Sequence, residues 1–209
     1  MSGLRRTNGA AADRPNAHGD GMAAAFLFTH DLFRFPSPSQ WEWLTSPQAE
    51  SFEAELDRRL GCRPAAGSRL PASADQYEQE FIATFEAGIP HAPVPLIESH
   101  YNKRDPVPRI LHENILFHRA FGLALKSSAA ETSDHLRHQL EFVAHLYGLE
   151  AGASGEALDA IRLGRVQFVE RHLLSWLPVA EEKARAIPCG WAARHLTLTH
   201  RLLAAARRP

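Results

Sequence analysis

The chain is short of most features that mark a catalyst, an export substrate or a disulfide scaffold. It has two cysteines in 209 residues, Cys62 and Cys189. They stand far apart and form no C-x-x-C pair, which excludes a zinc ribbon and a disulfide framework and fits a reducing compartment. Positive charge is not in excess: 23 Lys and Arg against 24 Asp and Glu leave a formal net charge of −1. A nucleic-acid binder usually shows a basic surplus, so none is expected here as a partner. No run approaches the roughly 18 apolar residues of a membrane span, so no stable membrane insertion is expected. The G-x-S-x-G, P-loop and G-x-G-x-x-G patterns are all missing. No segment keeps strand alternation between turn signals, and no internal repeat is present. Arg5-Arg6 stand near the N-terminus, but Thr7 to Asp20 are small or polar and the apolar run Met22 to Phe28 is short and late. The pair therefore does not begin an export signal. Residues 1–20 read as a disordered, dispensable tail, and 21–209 as one domain in the cytoplasm.

What the chain does have is proline in an unusual place. The stretch from Phe85 to Tyr101 reads F-E-A-G-I-P-H-A-P-V-P-L-I-E-S-H-Y. Pro90, Pro93 and Pro95 lack backbone donors and restrict the residues before them. Pro106 and Pro108 delay the next helix. Gly88 reads as a left-handed stop for the helix that enters. The outcome is a loop of roughly 18–20 residues, beyond the length of an ordinary connector. It carries Ile89, Val94, Leu96, Ile97 and Tyr101, which a solvated linker would avoid. A stiff apolar loop has little entropy to lose on binding, so it reads as a binding surface.

The rest is helical. Pro36 and Pro38 end a first helix that begins at Gly21, and Ser39 caps a turn bearing Trp41 and Trp43. Ser46-Pro47 starts the next helix, with Phe52, Leu56 and Leu60 as its stripe and Gly61 as its stop. Ser73 caps a helix whose inner face is Tyr77, Phe81 and Phe85. Later helices are expected over Val107 to Leu125, Asp134 to Leu149, Gly155 to Leu174, Val179 to Ile187 and Trp191 to Ala206. Lys126 to Glu131 reads as a loop. His118 reads as a core histidine. Asp134 is placed to cap the helix it begins. The expected fold is all-α, a single-domain bundle of about seven to nine helices.

One helix offers metal-like spacing. His135, His138, Glu141 and His145 recur at intervals of 3, 3 and 4, and all but the first share one stripe. Leu136, Leu140, Val143 and Tyr147 take the buried face, which leaves the stripe on its flank. A helical metal- or haem-dependent enzyme using this stripe is the alternative reading. A di-iron bundle would need E-x-x-H motifs on facing helices, and these are absent. No cofactor and no metal are expected.

Several stretches together resemble one family. They are Y-E-Q-E-F-I-A-T-F (Tyr77 to Phe85), P-x-P-L-I-E-S (Pro93 to Ser99), S-D-H-L-R-H-Q-L-E-F (Ser133 to Phe142) and H-L-L-S-W-L-P (His172 to Pro178). In their order and spacing they resemble the TorD/DmsD/NarJ-type chaperones of molybdenum-cofactor oxidoreductases. The loop wording is similar to the subgroup that serves type II enzymes of the dimethyl sulfoxide reductase family. Two positions depart from the family pattern: Thr132 stands where a proline is common, and Val94 separates Pro93 from Pro95. The resemblance implies an all-helical, non-catalytic chaperone. Its implied partners are the cofactor-free catalytic subunit of a molybdenum-cofactor oxidoreductase and that subunit's twin-arginine leader. The leader would be bound and the subunit held until cofactor insertion and export, by a monomer or a dimer. Its receptor needs carboxylates beside an apolar groove. Glu98, Asp134 and Glu141 are the candidate carboxylates. Leu96, Ile97, Tyr101 and the edge of Tyr77, Phe81 and Phe85 are the candidate groove, with Pro93, Pro95, Ser99 and His135 framing it.

Overall fold

A computed structural model describes residues 21–63, 68–123 and 132–208. The proposed tail and the expected loop from Lys126 to Glu131 lie outside them. Among the described residues the chain is all-α. Its ten α-helices are α1 (Gly21–Leu32), α2 (Pro38–Leu44), α3 (Pro47–Leu60), α4 (Ala74–Phe81), α5 (Glu98–Tyr101), α6 (Val107–Ala120), α7 (Leu136–Gly152), α8 (Gly155–Phe168), α9 (Leu177–Arg185) and α10 (Gly190–Ala206). Nine of them have seven residues or more, so the count passes the expectation only through the one-turn α5.

Local chemistry explains most boundaries. Ser46 Oγ accepts from Ala49 N–H at 3.2 Å with Pro47 in the first turn, and Gly61 ends α3 in the left-handed region at φ 66°. Ser73 Oγ accepts from Gln76 N–H at 3.3 Å and starts α4. Ser37, not Ser39, caps α2, accepting from Gln40 N–H at 3.1 Å. Pro38 then takes the first helical position, where its missing donor costs nothing. Of the two glycines that follow the expected stripe of α7, Gly148 lies inside the helix and Gly152 is its last residue.

α7 is the central element. Leu136, Leu140, Phe142, Val143 and Leu146 are fully buried on it, and α1 packs along its length. α10 supplies the other large buried set, from Trp191 to Ala206. Two helices do not end as α-helix. α4 continues into a π-helical turn, Ile82–Glu86, and α8 into another, Val169–Leu173. The wider turn re-aims the side chains that follow it. The first turn leads into the proline loop, and the second carries His172 beneath it.

Candidate functional site: the docked proline loop

Residues 87–106 form the expected long loop, interrupted only by α5. It is firmly attached. Val94 N–H donates to Thr84 O at 2.9 Å, which ties it to the π-turn after α4. Leu136 N–H donates to Leu96 O at 2.8 Å, and Glu98 N–H donates to Asp134 O at 3.0 Å. Ile97 and His135 thus form an isolated antiparallel bridge. Pro93 and Pro95 lack donors, so the loop attaches through the Val94 and Glu98 N–H groups and the Leu96 carbonyl. Val94, Leu96 and Glu98 all face inward, at 0%, 3% and 1% exposure. Gly88 is not a left-handed cap. A Cβ there would lie 2.2 Å from the His91 carbonyl oxygen, so the turn needs glycine for close approach.

The structure brings the sequence-predicted residues together but turns many of them inward. Asp134 is fully buried. Its Oδ2 accepts from Ser99 N–H at 3.0 Å, and its Oδ1 accepts from Thr132 Oγ–H at 2.5 Å. It therefore caps α5 from 35 residues away instead of its own helix. The N-cap of α7 is His135, whose Nδ1 accepts from Arg137 N–H at 3.3 Å. Tyr77, Phe81 and Phe85 are core rather than groove edge. All three surround the Trp191 ring, with centroids at 4.8, 6.4 and 6.0 Å. Phe35, 54% exposed and packed on Phe81 at 6.0 Å, is the part of that cluster that meets solvent. Pro95 and Leu96 are also buried.

Glu98 sits in a polar network that sequence reasoning did not assemble. Its Oε2 accepts from Gln139 Nε2 at 2.7 Å and from Asn114 Nδ2 at 3.1 Å. His172 Nδ1 lies 3.1 and 3.2 Å from its two oxygens. Gln139 also donates to Asn114 Oδ1 at 3.1 Å. All four side chains are buried, so the carboxylate is held by three donors in place of water. Direct pairing of Glu98 or Asp134 with a leader guanidinium, as expected from sequence, does not fit this burial. The sequence does carry a signal for the network. Ile110, Asn114 and His118 fall at i, i+4 and i+8 on α6, a polar pair inserted in an inward stripe. His118 itself is the core histidine expected: it stacks on Phe142 at 4.4 Å and donates from Nδ1 to Asn114 O at 2.7 Å. Burial holds its pKa below the usual histidine value.

What remains accessible is a narrower rim. Pro93 is exposed, Ile97, Ser99 and Tyr101 are half-buried, and Ile89 stands free at the loop tip. Tyr101 stacks on buried Trp176 at 5.2 Å. Glu141 alone of the three carboxylates lies in solvent, 4.0 Å from His138 Nδ1. The neighbouring His138 holds its carboxyl below the usual range.

The histidine stripe does not converge. His135 caps α7, His138 faces Glu141, and His145 Nε2 donates to Phe121 O at 2.9 Å. Among the described residues no group of three His, Cys, Asp or Glu side chains is placed to hold a metal ion. No described helix is long and apolar enough to cross a membrane.

Comparison with known proteins finds relatives and a family. Three relatives are similar over most of the chain. The perchlorate reductase assembly chaperone protein of Dechloromonas aromatica is 31% identical over 140 residues, covering 66% of this chain and 59% of the relative. The selenate reductase assembly chaperone protein of Thauera selenatis is 29% identical, covering 88% and 84%. The chlorate reductase assembly chaperone protein of Ideonella dechloratans is 28% identical, covering 90% of each. No solved structure gave a significant match. Residues 46–181, which hold the loop, α5 to α8 and part of α9, match the family described as Nitrate reductase delta subunit, and the chain belongs to that family.

Proposed function

We propose that this protein is a cytoplasmic assembly chaperone, without catalysis of its own, for the catalytic subunit of a molybdenum-cofactor reductase. It binds the subunit's twin-arginine leader and holds the cofactor-free subunit until the cofactor is inserted and export can follow. The observation that carries the reading is the docked loop. Its backbone is fixed by four hydrogen bonds to Thr84, Asp134 and Leu136 before any ligand arrives. Binding to such a surface costs little ordering entropy. The relatives' names, all assembly chaperones of oxyanion reductases, support the same reading.

The leader's apolar stretch lies across Pro93, Ile97 and Tyr101, while Glu141 supplies exposed negative charge for a guanidinium. Titration calorimetry with a twin-arginine leader from a molybdenum reductase, at several chloride concentrations, tests this. Ile97→Ser is expected to weaken binding at every ionic strength, because apolar burial is not screened. Glu141→Gln is expected to flatten the salt dependence. A folded wild-type chain that binds neither this leader nor the full cofactor-free subunit would refute the reading.

A further inference from the structure

Positive charge gathers around Tyr101, although the chain as a whole carries a formal net charge of −1. Lys183 Nζ, from α9, lies 5.0 Å over the Tyr101 ring. The His100 ring packs edge-on to Tyr101 at 4.9 Å and to His91, from the loop tip, at 5.3 Å. Lys103 follows two residues after Tyr101. Lys103, Lys183 and His91 are exposed, and His100 and Tyr101 are half-buried. Among the described residues none of these lysines and histidines pairs with a carboxylate. Glu98 and Asp105, which flank the segment in sequence, are already engaged: Glu98 by its buried network and Asp105 by Arg109 at 3.3 Å. On α9, Glu181 is held by His200 at 2.6 Å. His100 registers the imbalance. Burial lowers its pKa first, and the charges of Lys183, Lys103 and, where protonated, His91 lower it further. Every charge that bears on its ring is thus positive, and the three come from α9, the segment after α5 and the loop tip. Like charges gathered without a counter-charge repel, and a bound anion relieves that repulsion.

We infer that this part of the surface docks an acidic segment of the client subunit, separate from its leader, an inference that rests on the function proposed above. Charge complementarity selects the occupant. A leader with two guanidinium groups gains nothing from Lys103 and Lys183. Carboxylates spaced along an extended segment can meet both, with an apolar side chain between them on Tyr101. That ring is a fixed platform, stacked on buried Trp176 at 5.2 Å. Two lysines are too few for a nucleic acid, which draws on roughly 6–10 phosphate contacts. His100 reports the contact. A carboxylate brought to its ring offsets the surrounding charges and raises its pKa. Docking therefore takes up a proton, and it tightens as pH falls through the range between the free and bound values.

The test uses the full chain and two probes, read by calorimetry at several chloride concentrations. One probe is the synthetic twin-arginine leader, and the other is the cofactor-free catalytic subunit of a molybdenum reductase with its leader removed. The variants are the pairs Lys103→Gln with Lys183→Gln and Lys103→Glu with Lys183→Glu. Both positions are exposed and unpaired, so both variants should fold, which circular dichroism checks. The wild type is expected to bind the leaderless subunit. The Gln pair should lose about three- to tenfold at low salt, with a flatter salt dependence, and the Glu pair more. Neither pair should weaken binding of the leader peptide. His100→Gln should remove part of the gain in affinity for the subunit that the wild type shows from pH 7 to pH 6. Equal binding of the leaderless subunit by wild type and both lysine variants overturns the surface. So does a wild type that binds the leader but not the leaderless subunit, and in both cases the leader-binding reading stands. A loss shared equally by the leader peptide puts the lysines in the leader site and overturns the surface too. If the variants lose binding to phosphatidylglycerol vesicles and not to the subunit, the surface faces lipid and the inference falls. A wild type that binds neither probe refutes the surface and the leader-binding reading together.

Discussion

Asp134 stabilises a helix to which it does not belong. Read along the sequence, an Asp before an apolar periodic run is an N-cap, and that reading places its carboxylate on α7. In the fold the carboxylate reaches the loop, because the bridge between Ile97 and His135 brings the first turn of α5 within 3.0 Å of it. Asp134→Ala leaves Ser99 N–H and Thr132 Oγ without their acceptor, and is expected to lower stability by about 1–3 kcal/mol. Asp134→Asn keeps one acceptor oxygen and should lose less. Urea melts of the three proteins check this. An Ala variant as stable as wild type would mean that the loop is held by its other bonds alone.

Among the helices, α7 and α8 contain glycines of opposite kinds. Gly164 on α8 is buried, and a Cβ there would lie 2.2 Å from Cζ of Phe121. Gly148 on α7 faces solvent, and a Cβ added there would have nothing within 4 Å. Gly164→Ala should therefore destabilise by about 1–3 kcal/mol, since the partly buried Phe121 ring, packed against the core, must move. Gly148→Ala should stabilise by up to about 1 kcal/mol, through helix propensity alone. Thermal melts of the two variants should shift in opposite directions. Equal shifts would show that α8 does not pack on Phe121. In the sequence both positions read simply as glycine; the ring that separates them comes from the end of α6.

Across the molecule, buried histidines set an acid limit. His195 is 3% exposed between Phe33 and Trp191, and burial, aided by the Arg194 charge, pushes its pKa from 6.5 to about 3. Glu53, 3.9 Å away, does not offset this. Between those values the unfolded chain takes up a proton that the folded chain refuses. The group's contribution is thus present above about pH 6.5 and lost progressively as pH falls toward 3. His118, also lowered by burial, acts in the same sense. Melting temperatures of wild type and His195→Gln, measured from pH 7 to pH 4, should fall with a shallower slope in the variant. Parallel slopes would remove His195 as a source of the acid sensitivity.

The helical class, most caps and the existence of the loop are legible in the sequence because they are local matters. Ser46-Pro47, Gly61 and Ser73 act within a few residues, and Pro90, Pro93 and Pro95, so closely spaced, leave no room for a helix between them. Which motifs belong together is legible too, since P-L-I-E-S and S-D-H do meet, along one bridge. Which way those motifs face is settled only by the tertiary fold. Period-2 alternation in the loop puts Glu98 inward as surely as Leu96, and the alternation does not say which side is water. Only the arrival of Asn114, Gln139 and His172 from α6, α7 and the π-turn makes a buried carboxylate tolerable there, because three donors replace its hydration.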